Sequence, residues 1–86
     1  MPNSSSSGLT VRYFAAARAA AGVGEETLSA GTLAHLRDLM VELHGERLAA
    51  VLKVASFLVD GVVRRDLTAP LPEGATIDVL PPFAGG

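Results

Sequence analysis

Only one stretch of the chain carries a helical repeat longer than two turns, and the sequence offers no second long helix for it to pack against. Leu33, Leu36, Met40 and Leu43 follow one another at offsets 0, +3, +7 and +10, which lines them along one face of a helix. Thr32 stands where an N-cap is expected and Gly45 where a left-handed terminating residue is expected. Arg37, Asp38 and Glu42 fall outside the stripe and are expected in water. A lone amphipathic helix must bury its apolar face on a sheet, which restricts the chain to an α+β architecture.

The flanking segments read as the strands of that sheet. Leu9–Phe14 alternates Leu9, Val11 and Tyr13 against Thr10, Arg12 and Phe14, the period of a half-buried strand. The alanine-rich run that follows supports a turn or two of helix before Gly22 and Gly24 break it, and Glu25–Ser29 returns as a second short strand. Arg47–Leu52 adds a further helical turn that closes the core. Ala55–Val59, the Asp60-Gly61 turn and Val62–Arg65 read as a hairpin, since Asp-Gly favours the positive-φ turn that matches strand twist. Leu67–Ala75, with two prolines and a glycine, is loop, and Thr76–Leu80 is a final alternating strand with Ile77 and Val79 on one face. The order β-β-α-β-β-β, a mixed sheet of about five strands on one main helix, is the β-grasp arrangement. We place a flexible leader at residues 1–8, the β-grasp domain at 9–80 and an extended tail at 81–86.

Length and composition narrow the function. At 86 residues, 49% of them hydrophobic and 19% charged, the chain holds one core and no second domain. Its net charge of -2 and scattered cations give no nucleic-acid footprint. Cysteine is absent, which excludes disulfides, cysteine-ligated metals and thiol chemistry. The serine-rich start lacks the basic and apolar regions of a signal peptide, and no apolar run approaches a membrane span, so the expected location is the cytoplasm.

Side-chain chemistry has little to build on. His35 and His44 are nine residues apart, on opposite sides of the helix, and are expected to be solvated without sharing a metal. Ser29 and Ser56 have no nucleophile-elbow context, and Gly22–Gly24 is not followed by the Lys-Ser or Lys-Thr of a phosphate loop. Glu25, Glu26, Asp60, Asp66 and Asp78 supply carboxylates but no apolar cleft that would tune them. Elimination leaves the ending, PPFAGG. Pro81 and Pro82 stiffen its root, six residues reach roughly 20 Å, and Gly85 and Gly86 bring only backbone into a narrow channel. Such a tail suits entry into another protein's active site.

VRYFAAAR near the start, the helix, a VDG hairpin followed by PLPEGATIDVLPP, and the ending FAGG together resemble the MoaD/ThiS-type ubiquitin-like sulfur carriers, most nearly their molybdopterin-synthase small-subunit branch. The resemblance covers Leu9 to Gly86. It implies a carrier that binds no cofactor itself. An E1-like adenylyltransferase would use ATP to turn the Gly86 carboxylate into a glycyl-adenylate, and a sulfur donor protein would convert it to a thiocarboxylate, 1-thioglycine. The tail would then enter a large catalytic subunit and give its sulfur to a cyclic pterin precursor in molybdenum cofactor biosynthesis. Members of that branch commonly carry asparagine where Asp60 stands, so the hairpin does not fix the branch.

Within this reading Gly86 reacts, Gly85 threads, Phe83 and Ala84 dock, and Pro81 and Pro82 aim. By strand alternation Phe14 and Leu80 project from the open face of the sheet beside Val63 as an apolar partner patch. Arg18 matches an arginine of the family and is a candidate partner for an acid on the activating enzyme. A carrier serving thiamine, cysteine or another sulfurated product, a ubiquitin-like modifier joined to lysines through Gly86, and a plain binding module remain open alternatives.

Overall fold

In a computed structural model the described residues are 8–82. They form β1 (Gly8–Tyr13), α1 (Ala15–Ala21), β2 (Glu25–Ser29), α2 (Leu33–His44), α3 (Glu46–Leu52), β3 (Ser56–Val59), β4 (Val62–Arg64) and β5 (Thr76–Leu80). The five strands make one sheet in the order β2-β1-β5-β3-β4. β1 and β5 run parallel, and every other neighbouring pair is antiparallel. The β-grasp expectation therefore holds, with the alanine run and Glu46–Leu52 each forming a seven-residue helix beside the main one. Gly8 already pairs with Ser29, so β1 begins inside the span read as leader.

Leu33, Leu36 and Met40 of α2 are fully buried against Val11, Ile77 and Val79 of the central strands. Thr32 caps the helix as expected, its hydroxyl accepting the His35 N–H at 3.2 Å. Two positions depart from the expected stripe. At about 100° per residue Leu43 lies some 80° round from Leu33, at the margin of the buried face, whereas His44 lies only about 20° away. Accordingly Leu43 is 56% exposed and His44 turns inward. Leu48 and Leu52 of α3 supply the apolar closure at that end.

Gly45 makes this exchange possible. Its φ of 86° lies in the region that β-carbons disfavour, and it ends α2 and starts α3 at one residue. The chain bends there, bringing α3 against α1. In the β3–β4 hairpin Asp60 (φ 50°) and Gly61 (φ 86°) form the two-residue positive-φ turn. Asp60 also reaches outside the hairpin: its backbone N–H donates to the Thr76 carbonyl at 2.8 Å, and its carboxylate accepts the Thr76 N–H at 2.9 Å. The turn thus fixes where β5 begins.

Candidate functional site: the tail root and the open sheet face

β5 is the middle strand of the sheet, held on one side by β1 and on the other by β3. Its registers pair Val79 with Tyr13 and Phe57, and Leu80 with Ser56. The Phe14 N–H adds a bond to the Val79 carbonyl at 3.2 Å. Pro81 follows where a backbone donor is no longer needed, and it is buried, while Pro82 is exposed. The root of the tail therefore follows the middle strand of the sheet, which is paired on both sides. Phe83, Ala84, Gly85 and Gly86 lie outside the described residues.

The helices cover one face of the sheet and leave the other open. Register places Glu25, Arg12, Asp78, Leu58 and Val63 side by side across β2, β1, β5, β3 and β4 on the open face. Leu80 and Ser56 lie in the next row. Val63 is 53% exposed and Leu80 half-buried, so both belong to the open face as expected. Leu58 joins them and was not anticipated, although the Asp60-Gly61 turn sets it opposite Val63 and could have revealed it.

Phe14 needs a correction. It does not continue the strand but occupies the N-cap position of α1, with extended backbone and no side-chain capping bond, and Ala15 behind it takes a φ of 50°. The ring still faces outward, and the Arg12 guanidinium carbon lies 5.8 Å from its centroid. Arg12 also grips Asp78 through Nε at 2.6 Å and Nη2 at 2.9 Å, a two-pronged contact. The hydrogen bond to Asp78, and then its charge, raise the Arg12 pKa further. Asp78 is thus a buried ionic anchor within the apolar patch, a role that the sequence pattern did not disclose.

Arg18 is exposed on α1 and borders a shallow cleft with Phe14, Gly24 and Glu25. It lies at the β1–β2 end of the site, away from Val63. On the helix side of the tail root, Ala16, Ala50, Val51 and Val54 join Pro81 and Pro82 in an apolar groove of about 490 Å³.

The solvated-histidine expectation holds for the exposed His35 and fails for His44. His44 Nε2 and the Tyr13 hydroxyl both approach Glu26 Oε2 at 2.6 Å, and the two rings meet edge-on at 5.8 Å. Burial, followed by the bond to Glu26, pushes the Tyr13 pKa well above its ordinary value. This cluster ties β1, β2 and the end of α2 together through Glu26 Oε2. Among the described residues no group of three His, Asp or Glu side chains is placed to hold a metal ion, and no helix is long and apolar enough to cross a membrane. What the described site can do is present a strand end and a docking face.

Comparison with known proteins agrees with this geometry. A molybdopterin synthase sulfur carrier subunit from Chlamydomonas reinhardtii is 33% identical over 81 residues, covering 91% of this chain and 98% of that protein. The solved complex of subunits 1 and 2 of the molybdopterin-converting factor from Helicobacter pylori contains a chain that superposes with a TM-score of 0.71 at 28% identity, over 92% of this chain and 99% of that one. The small archaeal modifier protein 1 of Methanosarcina acetivorans shares the fold, with a TM-score of 0.80 at 23% identity over 94% of this chain and 98% of that one. The ThiS family model matches residues 11–86, from the first core valine of β1 through the Gly-Gly ending. This chain belongs to the ThiS family.

Proposed function

We propose that this protein is the sulfur carrier subunit of a molybdopterin synthase, with Gly86 as the reacting terminus. The observation that carries the reading is the match to the Chlamydomonas reinhardtii sulfur carrier subunit, which runs over nearly the whole of both chains. The tail root supports it, because β5 is held on both flanks and leads through buried Pro81 to exposed Pro82, both of fixed φ.

In this role the Gly86 carboxylate attacks the α-phosphorus of ATP held by an E1-like adenylyltransferase, pyrophosphate leaves, and an acyl-adenylate forms. Sulfur from a donor protein then attacks the carbonyl carbon and AMP leaves; sulfide-level sulfur gives the thiocarboxylate directly, whereas a persulfide gives an acyl disulfide whose S–S bond a thiol reduces, releasing the thiocarboxylate and a protein disulfide. Adenylation is needed because a free carboxylate has no good leaving group at its carbonyl carbon. The chain itself binds neither ATP nor metal, and works in the cytoplasm. Its contribution is to stiffen the root of the tail through Pro81 and Pro82 and to dock: Phe14, Leu80, Val63 and Leu58 form the apolar contact, Arg18 pairs with an acid on the activating enzyme, Phe83 and Ala84 dock, and Gly85 and Gly86 thread to the reacting carbon. By analogy with the Helicobacter pylori complex, the receiving protein is the large catalytic subunit of the synthase.

Intact mass spectrometry tests the activation step. Incubation with ATP, the activating enzyme and a sulfur donor should raise the mass by the difference between one sulfur and one oxygen, and a chain lacking Gly86 should not change. An unchanged mass in the full chain would sink the reading. Higher-mass conjugates to other proteins would point to a modifier instead.

A further inference from the structure

Four of the chain's seven basic side chains, Arg37, Lys53, Arg64 and Arg65, converge on one pocket of about 300 Å³ beside β4. No acidic residue lines it. Among the described residues the ion pairs are Arg12–Asp78 and His44–Glu26, so none of the four cations has a carboxylate within ion-pair distance. Asp66, next to Arg65 in sequence, bonds Thr68, its carboxylate taking the N–H at 2.9 Å and the hydroxyl at 2.7 Å, and feels the Arg64 charge only as a minor influence from beyond ion-pair distance. Arg64 makes a single long bond, 3.3 Å, to the Pro70 carbonyl. Four cations gathered at one place on a chain of net charge -2 create a local positive field that draws an anion.

Position and chemistry together select the anion. Val63 lines this pocket and also belongs to the open sheet face. Leu80, at the tail root, pairs with Ser56 on β3, and β4 is the next strand out. Ser56 itself lines the pocket, so the pocket begins one strand spacing, about 5 Å, from Leu80. The pocket wraps the β4 edge, with Ser56 and Val63 on the open face and Arg37, Lys53 and Arg64 on the helix side, so a protein that covers Leu80, Leu58 and Val63 meets its open-face wall. The positive charge is carried on long arginine and lysine side chains, which take carboxylates and phosphates alike, so it is the pocket's place beside Val63 and Ser56 that favours anions carried on a docking protein. Such an arrangement fits carboxylates arriving on a second protein surface.

Resting on the carrier reading above, we infer that this pocket is the charged rim of the tail-receiving interface and takes an acidic segment, two or more Asp or Glu side chains, of the large catalytic subunit. Its effect is on encounter: rim charges speed association, whereas the apolar centre slows dissociation.

Association and dissociation rates with the purified large subunit, at low and at physiological ionic strength, test it. Lys53→Glu with Arg65→Glu reverses two exposed charges and should lower the association rate about tenfold or more at low salt, with little change in dissociation. The fall in association rate as salt rises, expected of the unaltered chain, should disappear. Lys53→Gln with Arg65→Gln should give an intermediate rate, and circular dichroism checks the fold of each variant. Leu80→Ala should instead speed dissociation. If Leu80→Ala weakens binding while both charge variants associate at the unaltered rate, the rim proposal is wrong and the carrier reading stands. If the unaltered chain does not bind the large subunit at all, the carrier reading itself fails. Binding of inorganic phosphate or ATP in the pocket, with association unaffected by the charge changes, would mark a small-anion site and overturn the proposal.

Discussion

Arg12 and Asp78 face each other across the parallel β1–β5 junction, with Nε and Nη2 2.6 and 2.9 Å from the two carboxylate oxygens. Asp78 is nearly sealed from solvent and Arg12 about half exposed, so the two ends of the pair are not equivalent. Arg12→Ala strands a buried charge, while Asp78→Leu removes that charge and frees an arginine that can reach water. Arg12→Ala should therefore lower the melting temperature by several degrees and Asp78→Leu by less. Thermal unfolding followed by circular dichroism gives the order, and the reverse order would contradict this account of the pair.

The Tyr13–Glu26–His44 cluster carries a pH dependence whose sign follows from Tyr13. Its pKa is raised in the fold, so its contribution is fully present below the ordinary phenol value of about 10 and declines as pH rises above it. Tyr13→Phe should cost about 1 kcal/mol at neutral pH through the lost hydrogen bond, and should make stability above pH 10 less steeply pH-dependent. Urea denaturation at neutral pH and above pH 10 measures both effects. An unaltered alkaline slope in Tyr13→Phe would contradict this reading.

Asp60 does two tasks, adopting φ 50° in the turn and accepting the Thr76 N–H. Asparagine can do both, so Asp60→Asn should change stability by less than about 0.5 kcal/mol. Asp60→Ala loses the acceptor and tolerates the turn poorly, and should cost about 1–2 kcal/mol. Chemical denaturation of the two variants side by side gives the comparison.

The main helix and the core strands were legible because their signals are local. Leu33, Leu36 and Met40 recur at helical spacing, and Val11, Tyr13, Ile77 and Val79 alternate, so the buried faces follow from periodicity. The Asp60-Gly61 turn was equally plain. His44 escaped because a stripe continued through Leu43 passes it over, although the helical repeat sets His44 nearer the line of Leu33; its partners Tyr13 and Glu26, on β1 and β2, are far off in sequence and give no local signal. Arg12–Asp78 and the four-cation pocket escaped for the same reason. Arg12 and Asp78 meet only through the parallel β1–β5 pairing, and Arg37 and Lys53 reach the adjacent Arg64 and Arg65 only through the packing of α2 and α3 beside β4.

Stiffness at the tail root is a separate claim. Replacing Pro81 and Pro82 with glycine removes the fixed φ at both positions and widens the directions the tail samples. Sulfur delivery to the large subunit should fall by about tenfold, the scale expected when a reacting group is less well positioned, while the folded core keeps its circular dichroism spectrum. Single-turnover transfer rates compare the two chains, and equal rates would show that the prolines do not aim the tail.

The central claim is that sulfur leaves this protein from Gly86. Its most direct test starts from carrier that has been thiocarboxylated and purified, mixed with the large catalytic subunit and the cyclic pterin precursor and sampled over a single turnover. The account predicts that dithiolene-bearing pterin appears in step with return of the carrier to its carboxylate mass, and that chain lacking Gly86 supports none. Product formed by the Gly86-deleted chain, or a thiocarboxylate that persists while product accumulates, would contradict it.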